Sequence, residues 1–235
     1  MACAASVRVG PAHEVFWALL SRADSRLIER THILRGRRAV ELAPGRLRVN
    51  DGPLRLDLAL AEDAGWEALC PNGREYVWTR KQAGIRARGT ISLDGRAERT
   101  IEGLAVVDDT AGYHPRFTEW RWAAGVGVDP AGRPLAFNLV EGVNDPPEGS
   151  ERAVWVDGTP HEVPPVRIAA DLSSILAQDG SELRFAAEAQ RSRRENLLLI
   201  RSDYHAPFGT FSGLLPGGIE LAHGLGVVER HRAWW

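Results

Sequence analysis

Two observations predict an all-β, mainly antiparallel protein, built as a lipocalin-like barrel or as two curled sheets. Short runs alternating apolar with polar residues recur from about residue 40 onward, and turn-forming residue pairs separate them. A third observation, a helical spacing near the N-terminus, adds one helix to that architecture.

The helix is predicted over residues 13–30, "HEVFWALLSRADSRLIER". Val15, Phe16, Leu19, Leu20, Ala23 and Leu27 gather on one helical face, with Arg22, Asp24 and Arg26 pointing away. Strands follow in "RLRVND", "LRLDLAL", "REYVWTR", "GTISLDG", "LRFAAEAQ" and "ENLLLIRS". Between the strands lie "NDG", "PNG", "LDG", "DPAG", "VDG", "QDG" and "PGG", pairs that supply the positive φ of tight hairpin turns. Seven such signals predict an antiparallel meander rather than βαβ units. The chain divides into an N-terminal helical segment at 1–35, a first sheet region at 36–110 and a second, lipocalin-like sheet region at 111–235. Two stretches, 144–151 and 205–218, read as long loops, where binding residues tend to sit.

At 235 residues the chain buries a core without staples. Its net charge of −2 is dispersed, which excludes the basic footprint of a nucleic-acid binder. No stretch approaches the roughly 18 apolar residues of a spanning helix. No basic segment followed by an apolar run opens the chain, so a cytoplasmic location is expected. Cys3 and Cys70 stand alone, without a CxxC pair.

In "FTEWRWAAG" an extended backbone puts Trp120 and Trp122 on one face and Glu119, Arg121 and Ala123 on the other. The two indoles either fill a barrel interior or line a cavity for an apolar ligand. Upstream, Asp109 and His114 are candidates for acid–base work, although a lone loop histidine is often only solvated. Asn138 is an amide on the buried side of its strand and needs partners in the protein or in a ligand. The segment 202–213 carries Asp203 and His205 beside phenylalanines and glycines. Near the C-terminus, Glu229 and His231 share one strand face, an arrangement that orients an imidazole for proton transfer and equally describes a buried ion pair. Two such residues do not make a metal site, so none is expected, and no GxSxG, Walker, Rossmann or HExxH motif occurs.

Taken in order, "DDTAGYHPRFTEWRWAAGVG", "LAFNLVEGVND", "AVWVDGTPHEVPPV", "SDYHAPFGTFSG" and "GVVERHRAWW" resemble the bacterial family called domain of unknown function 2804 (DUF2804). With "WTRKQAGIRARGTISLDG" just upstream, the resemblance spans about residues 75–235. The family is longer at its N-terminus, which implies a shortened first sheet here. The resemblance places its aromatic motif on Tyr113, Pro115, Trp120 and Trp122, its asparagine on Asn138, and its terminal element on Glu229, His231 and Trp234. Where the family often has a second histidine after the acid, this chain has Arg230.

That family is in turn distantly similar to the lipocalin-like carotenoid 1,2-hydratase group, in which an acid protonates an alkene and aromatic faces stabilise the cation. The implied function is a cofactor-independent enzyme acting on a small apolar, aromatic or isoprenoid-like molecule by hydration, isomerisation or cyclisation. Catalysis would fall to Glu229, His231, His114 and Asp109, and binding to Trp120, Trp122, Tyr113, Asn138, Asp203, His205 and Trp234. A non-catalytic carrier of a hydrophobic small molecule is the alternative.

Overall fold

A computed structural model describes residues 1–34, 38–197 and 200–234. Among them the chain is all-β, and every strand pair with an assigned register is antiparallel. The strands are β1 (Ala2–Val9), β2 (Ala12–Ser21), β3 (Arg26–Ile33), β4 (Val40–Ala43), β5 (Arg46–Asp51), β6 (Leu54–Leu60), β7 (Trp66–Asn72), β8 (Glu75–Leu93) and β9 (Arg99–Gly112). They continue with β10 (Phe117–Val128), β11 (Pro134–Glu141), β12 (Ala153–Val156), β13 (Thr159–Glu162), β14 (Val166–Ile168), β15 (Ser174–Ala177), β16 (Glu182–Leu197), β17 (Ile200–Leu215) and β18 (Ile219–Trp234). No helix long and apolar enough to cross a membrane occurs among the described residues.

The predicted N-terminal helix does not form. Residues 12–21 and 26–33 are strands of a hairpin, joined by a turn in which Ser25 sits at φ +49°. Val15, Phe16, Trp17 and Ala18 are all buried, so β2 is covered on both faces. A continuous apolar run of that kind satisfies a helical spacing by accident, and its β-branched and aromatic residues favour a strand. The region 205–218 is also strand rather than loop, running through β17 to the turn before β18. Of the expected strand at 195–202, residues 195–197 end β16 and 200–202 begin β17, and residues 198–199 lie outside the described ones.

Each of the seven turn signals joins two consecutive strands and holds a glycine at positive φ. Gly52, at φ +58°, is an example. Gly89 serves a different need: a Cβ there would stand 1.8 Å from the carbonyl oxygen of Asp57 on the paired strand.

The chain forms two compact units. The first comprises residues 1–63 and 85–105. Its core joins Val15 and Trp17 of the β1–β2–β3 sheet to Val49, Leu54, Leu56 and Ile91 of the β4–β5–β6–β8 ladder. Asp51 ties this unit together, accepting from Trp17 Nε1 at 2.8 Å and meeting His32 Nε2 at 2.8 Å and Arg30 at 3.3 Å.

The second unit comprises residues 64–84 and 106–235. Its largest part is a nine-stranded sheet of order β13-β12-β11-β10-β18-β17-β16-β15-β14. The sheet curls: Val166 and Ile168 of β14 join Leu135, Phe137 and Leu139 of β11 in one cluster, although five strands separate them in the sheet. The Ile168 amide donates to Glu141 Oε2 at 2.9 Å, fastening that closure. The enclosed side is packed solid by Phe137, Phe185, Phe211, Leu215 and Leu221. Beyond its short pairing with β15, β16 is flanked by β17 alone among the described residues.

Burial pulls the Asp51 carboxyl upward, but hydrogen bonds from His32 and Trp17 outweigh it, and the pKa lies below the ordinary value. Asp51→Ala should therefore destabilise the protein by about 1–3 kcal/mol in urea unfolding at pH 7. The difference from wild type should shrink as the pH falls through the acid range, because a depressed pKa gives stability that protonation removes.

Candidate active site

Strand alternation divides the nine-stranded sheet into two faces with different chemistry. Ala123, Leu139 and Val228 point into the packed interior, and their neighbours point the other way. On that second face the register brings Trp122 opposite Glu229, Trp120 opposite His231, and His231 opposite Tyr204. The tryptophans thus stand outside the filled interior, because one residue of alternation separates Trp122 from the buried Ala123.

Trp120 Nε1 donates to Glu229 Oε1 at 2.9 Å, and the Tyr204 hydroxyl donates to the same carboxyl. His231 packs against the Trp120 ring at 4.4 Å between centroids and edge-on to Tyr204 at 5.3 Å. Its Nε2 lies 2.7 Å from Ser202 Oγ. Arg191 lies over the other ring, its guanidinium carbon 4.9 Å from the centre of Tyr204. Trp120, Trp122, Ser202, Tyr204, Glu229 and His231 are each partly buried.

Desolvation dominates the electrostatics there. Burial pushes Glu229 up to about 7, against the hydrogen bonds from Tyr204 and Trp120. Burial likewise lowers His231 to about 4, with Asp203 opposing and Arg191 assisting. Near neutral pH the imidazole is uncharged, and the carboxyl is divided between its acid and its anion.

β8 and β9 bring a charged cluster to the same face. Lys81 on β8 is ion-paired with Asp108 on β9 and lies 3.4 Å from Glu151 Oε2. Burial works against the Lys81 charge, but Asp108 and Glu151 outweigh it and its pKa is raised. Burial also raises Glu151, which Lys81 partly offsets and to which Asn144 donates at 3.1 Å. Asn138 links this cluster to the aromatic wall. Its Oδ1 accepts from Trp122 Nε1 at 2.7 Å, and its Nδ2 donates to the Glu151 carbonyl at 2.9 Å. The buried amide thus finds both partners in the protein and fixes the angle of Trp122.

The other sequence candidates lie elsewhere. Asp109 points away from Lys81 and pairs with Arg80 at 2.6 Å. Tyr113 and His114 are exposed in the connection between β9 and β10. Asp203 and His205 sit on the opposite sheet face, where Asp203 meets Arg194 at 3.2 Å and His205 Nδ1 meets Ser192 Oγ at 2.8 Å. Trp234 is half-exposed against Phe117 at 4.8 Å. Conversely, Lys81 and Glu151 stand on this face without having been singled out, beside Asp108 and Tyr204, which the sequence groups with Asp109 and with Asp203 and His205. A signal existed for Lys81, which interrupts the buried alternation Val77, Thr79, Ala83; Glu151 lies in an aperiodic connection and offers none. Among the described residues no group of three or more His, Cys, Asp or Glu side chains is placed to hold a metal ion.

An all-β protein with a curled antiparallel sheet and an acid–aromatic cluster is thereby defined. The chain belongs to the family described as Domain of unknown function (DUF2804), whose model matches residues 23–235. Two crystal structures share the fold. One is a protein assigned as AttH from Nitrosomonas europaea, at a TM-score of 0.54 and 14% identity, covering 95% of this chain and 82% of that one. The other is kievitone hydratase from Nectria haematococca, at a TM-score of 0.59 and 10% identity, covering 97% and 82%. No curated protein matches the chain in sequence.

Lys81 and Glu151 are 2% and 3% exposed, so removing one leaves the other's charge in a dry setting. Lys81→Met should cost about 3–5 kcal/mol in urea unfolding. The double variant Lys81→Met/Glu151→Gln should recover part of that loss, and the double-mutant cycle measures the coupling.

Proposed function

We propose that the protein is a cofactor-independent enzyme that adds water to, or removes it from, a small unsaturated apolar molecule, with Glu229 as the proton donor. The observation that carries this reading is Glu229 itself. It is a desolvated carboxyl held near pKa 7 between two aromatic donors, as general acid catalysis at neutral pH requires. One of the solved structures that share the fold is named a hydratase, and hydration of an alkene needs this kind of acid.

In the forward direction Glu229 transfers its proton to one alkene carbon, and positive charge develops on the other. The faces of Trp120 and Trp122 stabilise that charge through their ring quadrupoles. Water attacks the cation, and the resulting oxonium releases a proton to His231, which is neutral and far more basic than an oxonium. The proton returns to Glu229 through solvent, so the site ends in its starting state. Dehydration follows the same steps reversed. Asn138 acts by fixing Trp122, and Tyr204 holds the donor oxygen of Glu229 in place.

The test is a panel of isoprenoid and prenylated aromatic alkenes incubated in water labelled with heavy oxygen, with incorporation read by mass spectrometry. Wild type should gain one labelled water, and Glu229→Gln should lose at least about 100-fold in kcat/KM. The wild-type kcat/KM should fall as the pH rises above about 7, where Glu229 loses its proton. Binding of the panel without turnover would establish a carrier instead, and full activity in Glu229→Gln would remove Glu229 as the acid.

The two titrating groups also pull stability in opposite directions. Glu229 has a raised pKa, so its contribution is present at low pH and is lost as the pH rises through about 7. His231 has a lowered pKa, so its contribution is present above the ordinary histidine range and is lost as the pH falls toward about 4. Glu229→Gln should accordingly be more stable than wild type at pH 8 and lose that advantage at pH 5, as read by thermal unfolding.

A further inference from the structure

On the enclosed side of the curled sheet, one step beyond the packed Ala123 and Val228, the side chains turn from apolar to charged. Cross-strand pairing sets Arg121 of β10 directly opposite Arg230 of β18, with His205 of β17 and Ser192 of β16 next in line. Like charges facing each other across a ladder are destabilising. Here the Nε of each arginine is also buried and has no hydrogen-bond partner, which carries a desolvation cost of its own.

Ion pairs compensate several of the neighbouring arginines. Arg194 pairs with Asp203 at 3.2 Å, Arg232 with Glu119 at 3.3 Å, and Arg121 through Nη1 with Glu141 at 3.4 Å, while Arg193 is ion-paired with Glu195. Among the described residues the Nε of Arg230 is buried without a hydrogen-bond partner. Arg230 borders a pocket of about 390 Å³ together with Ser192, Arg193, Arg194, Asp203, Tyr204 and His205, within the size range of small-molecule sites. His205 Nδ1 faces two donors, Gln190 Nε2 at 3.1 Å and Ser192 Oγ at 2.8 Å, so the neutral ring carries its proton on Nε2 as a further donor. Burial, with help from the Arg230 charge and against Asp203, lowers the pKa of that ring.

We infer that this pocket is a second ligand site, which binds a small organic monocarboxylate through the Arg230 guanidinium with His205 beside it. A buried guanidinium N–H without an acceptor calls for one, and the planar fork of arginine matches a carboxylate. The ligand relieves both the opposed-arginine repulsion and the unpartnered guanidinium N–H, which accounts for the presence of an arginine where the apolar interior ends.

Benzoate is the probe, compared with inorganic phosphate and chloride at constant ionic strength. Benzoate should raise the thermal midpoint of wild type in a concentration-dependent way, and chloride should not. In Arg230→Gln that shift should vanish, and the calorimetric Kd for benzoate should rise by about tenfold or more. Without ligand this variant should melt no lower than wild type, since its substitution ends the like-charge pairing. Arg230→Lys, which keeps the charge and loses the fork, should bind between the two. Absence of benzoate binding to wild type overturns the proposal, as does wild-type affinity in either variant. Tighter binding of phosphate than of benzoate overturns the carboxylate assignment.

Discussion

Strand β11 is buried on both faces, and the second unit is organised around that constraint. Leu135, Phe137 and Leu139 enter the interior enclosed by the curled sheet, whereas Ala136, Asn138 and Val140 lie under the strands that cross the other face. Only small or fully hydrogen-bonded side chains fit the second set. Asn138 meets that demand by spending its carbonyl on Trp122 and its amide on Glu151. The same residue thereby joins the aromatic wall to the charged cluster. Its strand neighbours inherit the division: Ala123 and Val228 are core, and Trp122 and Glu229 are site.

The fold class and most strand positions were legible because hairpin turns and alternating strands leave local traces. "RLRVND" and "LRLDLAL" coincide with β5 and β6, and all seven turn signals fall between strands. The failure at residues 13–30 has a physical cause, since β2 is buried on both sides and its apolar run has no alternation to display. Part of the site was legible for the reason the turns were: Glu229 and His231 share a face by strand parity, as do Trp120 and Trp122. The convergence of Lys81, Asp108 and Glu151 was not, since their positions span 70 residues and meet only through tertiary packing. Asp109 shows how narrow the margin is, for a shift of one residue along β9 exchanges a partner of Arg80 for a partner of Lys81.

Desolvation does different work on the two titratable groups that flank Trp120. It favours the neutral form of each, which means a retained proton on a carboxyl and a lost one on an imidazole. In the proposed reading a proton donor and a proton acceptor thus come from one environment. Lys81 and its carboxylates supply fixed charge nearby, and their mutual pairing keeps Lys81 protonated despite its burial.

The upper part of β16, flanked by β17 alone, leaves a run of backbone hydrogen-bonding groups along the margin of the sheet. Such a margin is a template for joining a strand from another copy of the chain. The residues along it include Glu188, Arg193, Arg194 and Glu195, and charges at an edge strand make that addition unfavourable. The hairpin can therefore stand taller than its neighbour β15, carrying Tyr204 to the acid–aromatic cluster on one face and His205 to the arginines on the other, without turning its own edge into a polymerisation surface.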